Sequence, residues 1–245
     1  MRRLLSCSLI SVGLLLAHAR PAGAVLLDFN MDASHPAGVT ISYAGGANPL
    51  IGTMISVDTV LGIDTPANDT IVRHLVGGLL SFTTGNFTSS NTNNWFFGPG
   101  GTITLTGGVD LDNDNVLGLG DIPAGTTLLT GHFEDVPDVI SIGRFKIVGA
   151  SGSDTKDGQL AAFYGLSASG VSGAYGLNLA FFSSASPGQA FTSHQVLSGD
   201  LVNEIPVIPE PSSALLFALG LLGVRPGRRR RRSSARPAAH DRLIP

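Results

Sequence analysis

The sequence predicts an all-β fold: an antiparallel β-sandwich of roughly eight to ten short strands over residues 25–204. Three observations predict it. Short segments alternate apolar and polar residues with a period of two, which is the mark of a half-buried strand. Glycine and proline turn signals fall between these segments. Charged residues make up 13% of the chain, against about 25% in typical soluble domains. Gly, Ser, Thr and Asn take their place, and that mixture favours strands and turns.

The strand candidates follow in order. Residues 25–29 (VLLDF) open the body, and 39–43 (VTISY) and 52–57 (GTMISV) come next. Residues 102–106 (TITLT) alternate strictly, and 126–133 and 144–147 carry the pattern on. Tyr175, Leu177, Leu179 and Phe181 line one face of a run whose other face holds Gly176, Asn178 and Ala180. Residues 190–197 supply a last strand. Turns are expected at Gly45-Gly46, residues 98–101, Pro123-Ala124-Gly125, Asp157-Gly158 and Pro187-Gly188. Residues 70–80 show a weak helical spacing that Gly77-Gly78 undercuts, and residues 83–94 read as an exposed loop leading into Trp95-Phe96-Phe97. These aromatics read as a strand entering the core, with a sugar-stacking platform as the alternative.

Charge is segregated along the chain. The body holds sixteen acids but only four bases, Arg73, Arg144, Lys146 and Lys156, while most arginines sit at the ends. Such a body repels phosphate backbones, so no nucleic-acid partner is expected, and divalent cations suit it better. Cys7 is the single cysteine and lies in the N-terminal apolar segment, too close to Met1 for a lipoprotein signal. A chain processed after that segment has neither disulfide nor thiol chemistry.

Both ends read as sorting signals. Met1-Arg2-Arg3 precedes an apolar stretch over residues 4–17, and Ala22-Gly23-Ala24 supplies a small-x-small cleavage site. Residues 1–24 are therefore expected to be a signal peptide, with the mature chain starting at Val25. At the other end Pro209, Glu210 and Pro211 are followed by an apolar run over residues 212–224 and an arginine cluster, Arg228 to Arg232. The prolines hold an extended segment, and the arginines stay on the cytoplasmic side of a membrane. The apolar run makes a helix of roughly 20 Å, short of a full span of about 30 Å.

This order of motif, apolar helix and arginine cluster resembles the PEP-CTERM sorting signal, and the resemblance covers roughly the last forty residues. It implies a Gram-negative bacterial protein, exported across the inner membrane to the cell envelope, cell surface or medium. It implies an exosortase-type processing enzyme as partner, membrane attachment through the C-terminal helix before processing, and a setting of extracellular polysaccharide. Residues 205–232 are then linker and sorting signal, and residues 233–245 form a polar tail that extends beyond the usual end of such signals.

One stretch of the body has the spacing of a metal loop. Asp110, Asp112, Asp114 and Asp121 stand at positions 1, 3, 5 and 12 of residues 110–121, with the Val116 carbonyl at position 7. This matches an EF-hand or dockerin-like calcium loop. Asn115 replaces the turn glycine, and Ile122-Pro123-Ala124-Gly125 cannot start an exiting helix, so a true EF-hand is excluded. A Ca2+ loop between strands and a plain solvated Asp/Asn turn both fit these residues.

No catalytic motif is found: G-x-S-x-G, H-E-x-x-H and the P-loop are all missing from the sequence. His132-Phe133-Glu134 reads as a surface pattern of a strand. The expected function is that of a surface-sorted structural or matrix-associated protein. A carbohydrate-binding module of the exopolysaccharide matrix is the alternative, and a secreted hydrolase the third reading.

Overall fold

The computed structural model describes residues 25–31, 38–166 and 172–205. Pro209, Glu210, Pro211, the signal-peptide residues 1–24 and the apolar run over 212–224 lie outside the described residues. Among the described residues no helix is long and apolar enough to cross a membrane.

Thirteen antiparallel strands are found among the described residues: β1 (Val25–Met31), β2 (Thr40–Tyr43), β3 (Pro49–Ser56), β4 (Thr59–Ile63), β5 (Val72–Ser90), β6 (Asn94–Phe97), β7 (Gly101–Val109), β8 (Ile122–Phe133), β9 (Asp138–Ile142), β10 (Phe145–Lys156), β11 (Ser172–Phe182), β12 (Phe191–Ser193) and β13 (Val196–Ile205). One short helix, α1 (Gly158–Phe163), stands between β10 and β11. From β5 the pairing runs through β4, β1, β13, β11, β10, β8 and β7 and returns to β5, so the hydrogen-bonded path closes on itself. The branch β3, β2, β12 extends from β5, and β6 with β9 bridges β5 to β10.

The all-β antiparallel class is the one expected. Two departures matter: thirteen strands replace eight to ten, and all of them share one sheet. Both trace to β5, 19 residues long, which pairs successively with β4, β7, β3 and β6. The expected loop over residues 83–94 is thus largely strand. So is the weakly helical stretch at 70–80, whose glycines form a bulge rather than a helix break. Gly77 has φ 62°, and the β5–β7 register shifts between Val76 and Leu79. A Cβ on Gly78 would lie 2.1 Å from the Val57 carbonyl oxygen, so that position requires glycine.

Alternation places the core. Val25, Leu27, Phe29 and Met31 of β1 are buried, as are Tyr175, Leu177, Leu179 and Phe181 of β11 and Ile103, Leu105 and Val109 of β7. An aromatic cluster fills one region: Tyr43 meets Phe97 edge-on at 5.4 Å, Trp95 meets Phe191 at 5.6 Å, and Phe181 stacks on Phe191 at 5.6 Å. Each such pair contributes about 0.5–1.5 kcal/mol beyond its buried area. The predicted strand at 190–197 is split into β12 and β13, with His194 hydrogen-bonded to the Val39 carbonyl at 3.1 Å.

Two turn signals have other roles. Pro123 and Gly125 fall inside β8, next to the register shift between Gly107 and Val109. Asp157 caps α1, its Oδ1 accepting the Gln159 and Leu160 amides at 2.9 and 2.8 Å. The helix buries Leu160 and Ala161. Just beyond it Tyr164 is buried, its hydroxyl shared between the Val60 and Ile71 carbonyls at 3.2 and 3.1 Å.

Candidate metal loop

The acidic stretch forms the connection between β7 and β8. Asp110 is buried and organises it: Oδ1 accepts the Asn113 and Asp114 amides at 2.6 and 3.3 Å, and Oδ2 accepts the Asn115 amide at 2.8 Å. Asp112 Oδ1 accepts the Asp114 amide at 3.2 Å, and Asp114 Oδ1 accepts the Val116 amide at 2.8 Å. These successive turns wind the chain around one side. Asn113 and Asn115 take left-handed backbone with φ 65° and 69°, the conformation that asparagine tolerates best among non-glycine residues. Asn115 therefore does the work of the missing turn glycine.

Asp110, Asp112 and Asp114 each place a carboxylate oxygen within 4.8 Å of the others. Two oxygens on opposite sides of a calcium ion at about 2.4 Å are themselves about 4.8 Å apart, so the trio fits the first coordination sphere of Ca2+. Asp112 and Asp114 are exposed to solvent, whereas Asp110 is buried.

Asp121 lies outside this trio. Its Oδ1 accepts the Leu111 amide and its Oδ2 the Gly118 amide, both at 2.7 Å. It braces the loop, and its carboxylate stands close enough to Asp112 to push that residue's pKa up. The Val116 side chain is exposed, and its amide is the group seen to be engaged. Leu117, the apolar residue at position 8, packs over Gly108, whose notional Cβ would lie 2.5 Å from Leu117 Cδ1.

The charges respond to this arrangement. The Gly118 and Leu111 amides hold the Asp121 carboxyl below its ordinary value, against the upward pull of desolvation. At Asp112 the hydrogen bond from the Asp114 amide pulls downward. Desolvation and the carboxylates of Asp114, Asp121 and Asp110 outweigh it, and Asp112 is raised. A cation in the loop would remove that repulsion.

Two residues far away in sequence hold the loop in place. Arg73 Nε donates to the Leu111 carbonyl at 2.9 Å, and Gln159 Nε2 donates to the Gly120 carbonyl at 2.7 Å. Arg73 also lies over the Phe163 ring at 5.2 Å. Neither was legible beforehand, because no local pattern links β5 or α1 to a loop some forty residues away.

The other candidate groups separate. Trp95 and Phe97 are fully buried. Trp95 Nε1 donates to the Gln189 carbonyl at 3.2 Å, and Lys146 lies over its ring at 5.7 Å. Trp95 and Phe97 belong to the core, while Phe96 between them is half-buried. His132 is exposed and bonded to the Gly101 carbonyl at 2.9 Å, in keeping with a surface pattern. An open cleft of about 920 Å³ is lined by Arg144, Gln189, Phe191, His194 and Gln195, with Phe191 itself buried.

Comparison with protein-family models, with curated proteins and with solved structures finds no match to this chain.

Proposed function

We propose that this chain is an exported bacterial surface protein, delivered by a signal peptide and sorted by a PEP-CTERM signal, whose body serves as a calcium-stiffened structural or matrix-associated module. The observation that carries the reading is the order Pro209-Glu210-Pro211, apolar run and arginine cluster at one end, with an n-region, apolar segment and Ala22-Gly23-Ala24 at the other. Together they describe a chain handed to the export machinery and then to an exosortase-type enzyme.

The body's architecture supports the structural part. A closed antiparallel sheet leaves few free edges for accidental pairing, which suits a protein exposed outside the cell. The trio Asp110, Asp112 and Asp114 is the set we assign to Ca2+, with Asp121 fixing the loop. The bound ion would supply positive charge to three carboxylates that otherwise repel each other. The reading is tested in cells by replacing Pro209, Glu210 and Pro211 with alanine. An unprocessed form retained in the membrane is expected, and unchanged processing and localisation would overturn it.

A further inference from the structure

Inside the closed sheet, away from the acidic loop, lies a group of polar side chains with unusual surroundings. Asp154 and Lys156 point inward from β10, Tyr175 from β11 and Asn203 from β13, and they are 4%, 5%, 2% and 0% exposed. Lys156 Nζ and Asp154 Oδ2 are 3.1 Å apart, with both side chains fully enclosed. Both Asp154 oxygens, Lys156 Nζ, Tyr175 OH and both polar atoms of Asn203 have no hydrogen-bond partner among the described residues. Burying an amide and an ion pair in this way costs several kcal/mol by order of magnitude.

The glycines of the cluster show where the amine sits. A Cβ on Gly173 would lie 2.8 Å from Lys156 Nζ and 3.2 Å from Asp154 Oδ1. The amine therefore reaches across onto β11, over a position without a side chain. Asn203 is the direct cross-strand partner of Tyr175, two residues along β11 from Gly173 on the same inward face. Diagonal neighbours of this kind are about 7–8 Å apart at Cα and closer at the side chains. The amine thus lies over Gly173, a diagonal neighbour of Asn203, and the side chains of Lys156, Asp154 and Asn203 are all buried.

We propose that Lys156 and Asn203 join in a spontaneous intramolecular amide cross-link, with Asp154 as the proton carrier. A proton passes from Nζ to Asp154, leaving a neutral amine and a neutral carboxyl. The nitrogen lone pair attacks Asn203 Cγ and the new C–N bond forms. The bond from Cγ to Nδ2 breaks as Asp154 gives its proton to the departing nitrogen, and the re-ionised Asp154 takes the surplus proton from the new amide nitrogen and passes it to the ammonia, which leaves as ammonium. Amine and primary amide become secondary amide and ammonia, with no oxidant or reductant. Burial lowers the Lys156 pKa, against the opposing influence of Asp154, and so favours the neutral amine the attack requires. The link ties β10 to β13 across β11, a covalent staple in a body without cysteine.

The test is peptide mapping by mass spectrometry of the full chain as recovered from expressing cells. The expected result is one species in which the Lys156 and Asn203 peptides are joined, lighter than their sum by one ammonia. An Asp154→Asn variant, shown to be folded by circular dichroism, should yield the two peptides unlinked. Separate peptides from folded wild-type protein would overturn the cross-link without reference to any variant. A linked species in Asp154→Asn would overturn the role of Asp154.

Discussion

Asp121 holds the start and the end of the acidic loop together: its Oδ1 takes the Leu111 amide and its Oδ2 the Gly118 amide, each at 2.7 Å. These bonds stabilise the ionised carboxylate, so its pKa in the folded chain lies below the ordinary value of 3.8. A depressed carboxyl contributes stability that is present above its unfolded pKa and lost as pH falls through the folded one. Thermal melts of wild type and Asp121→Asn across the acid range should therefore converge as the pH falls below the usual carboxylate range. A constant difference at every pH would count against this assignment.

Asp110 has the larger structural role. Its buried carboxylate accepts three amides, and Asp110→Ala leaves those donors without their acceptor. An unsatisfied donor or acceptor costs about 1–3 kcal/mol. Denaturant unfolding should show a loss of at least that size, whereas Asp112→Ala at the exposed rim should cost much less in calcium-free buffer.

Calcium should act through the exposed members of the trio. At a hundredfold excess over its dissociation constant, a ligand adds about 2.7 kcal/mol to the folded state. Affinity in the millimolar to sub-millimolar range of extracellular modules is expected. The melting temperature should rise with calcium and fall with chelator in wild type, and respond to neither in an Asp112→Ala, Asp114→Ala double variant. Because the folded Asp112 pKa is raised, protons compete for the loop at a higher pH than for an ordinary carboxyl. The calcium effect should begin to fade before the pH reaches 3.8.

Much of the fold could be read because strand alternation reports burial directly. Tyr175, Leu177, Leu179 and Phe181 are all buried, as their spacing requires. Residues 70–80 misled because a run of apolar residues on both faces of a strand also satisfies helical spacing. Only the pairing with β4 and β7 decides between them, and pairing is non-local. The acidic loop was legible through Asp110, Asp112 and Asp114, whose contacts lie within a few residues. Spacing places Asp121 at position 12 of the loop but does not give its bonds to the Leu111 and Gly118 amides. Arg73 and Gln159 left no local trace at all.

Trp95 is the chain's single tryptophan and is fully buried beneath Phe191. Its emission should be that of an enclosed indole, shift to the red only on unfolding, and stay unchanged when matrix polysaccharide is added. Trp95→Ala should cost about 3–5 kcal/mol in denaturant unfolding. An exposed indole that responds to saccharide would restore the platform reading.

The central claim is that the chain is exported and sorted, and its termini test that claim most directly. Intact-mass and terminal-peptide analysis of the protein recovered outside the inner membrane should place the first residue near Val25 and the last before the cluster Arg228 to Arg232. Recovery of surface protein that still carries the intact arginine cluster, or of a cytoplasmic chain beginning at Met1, would contradict the account.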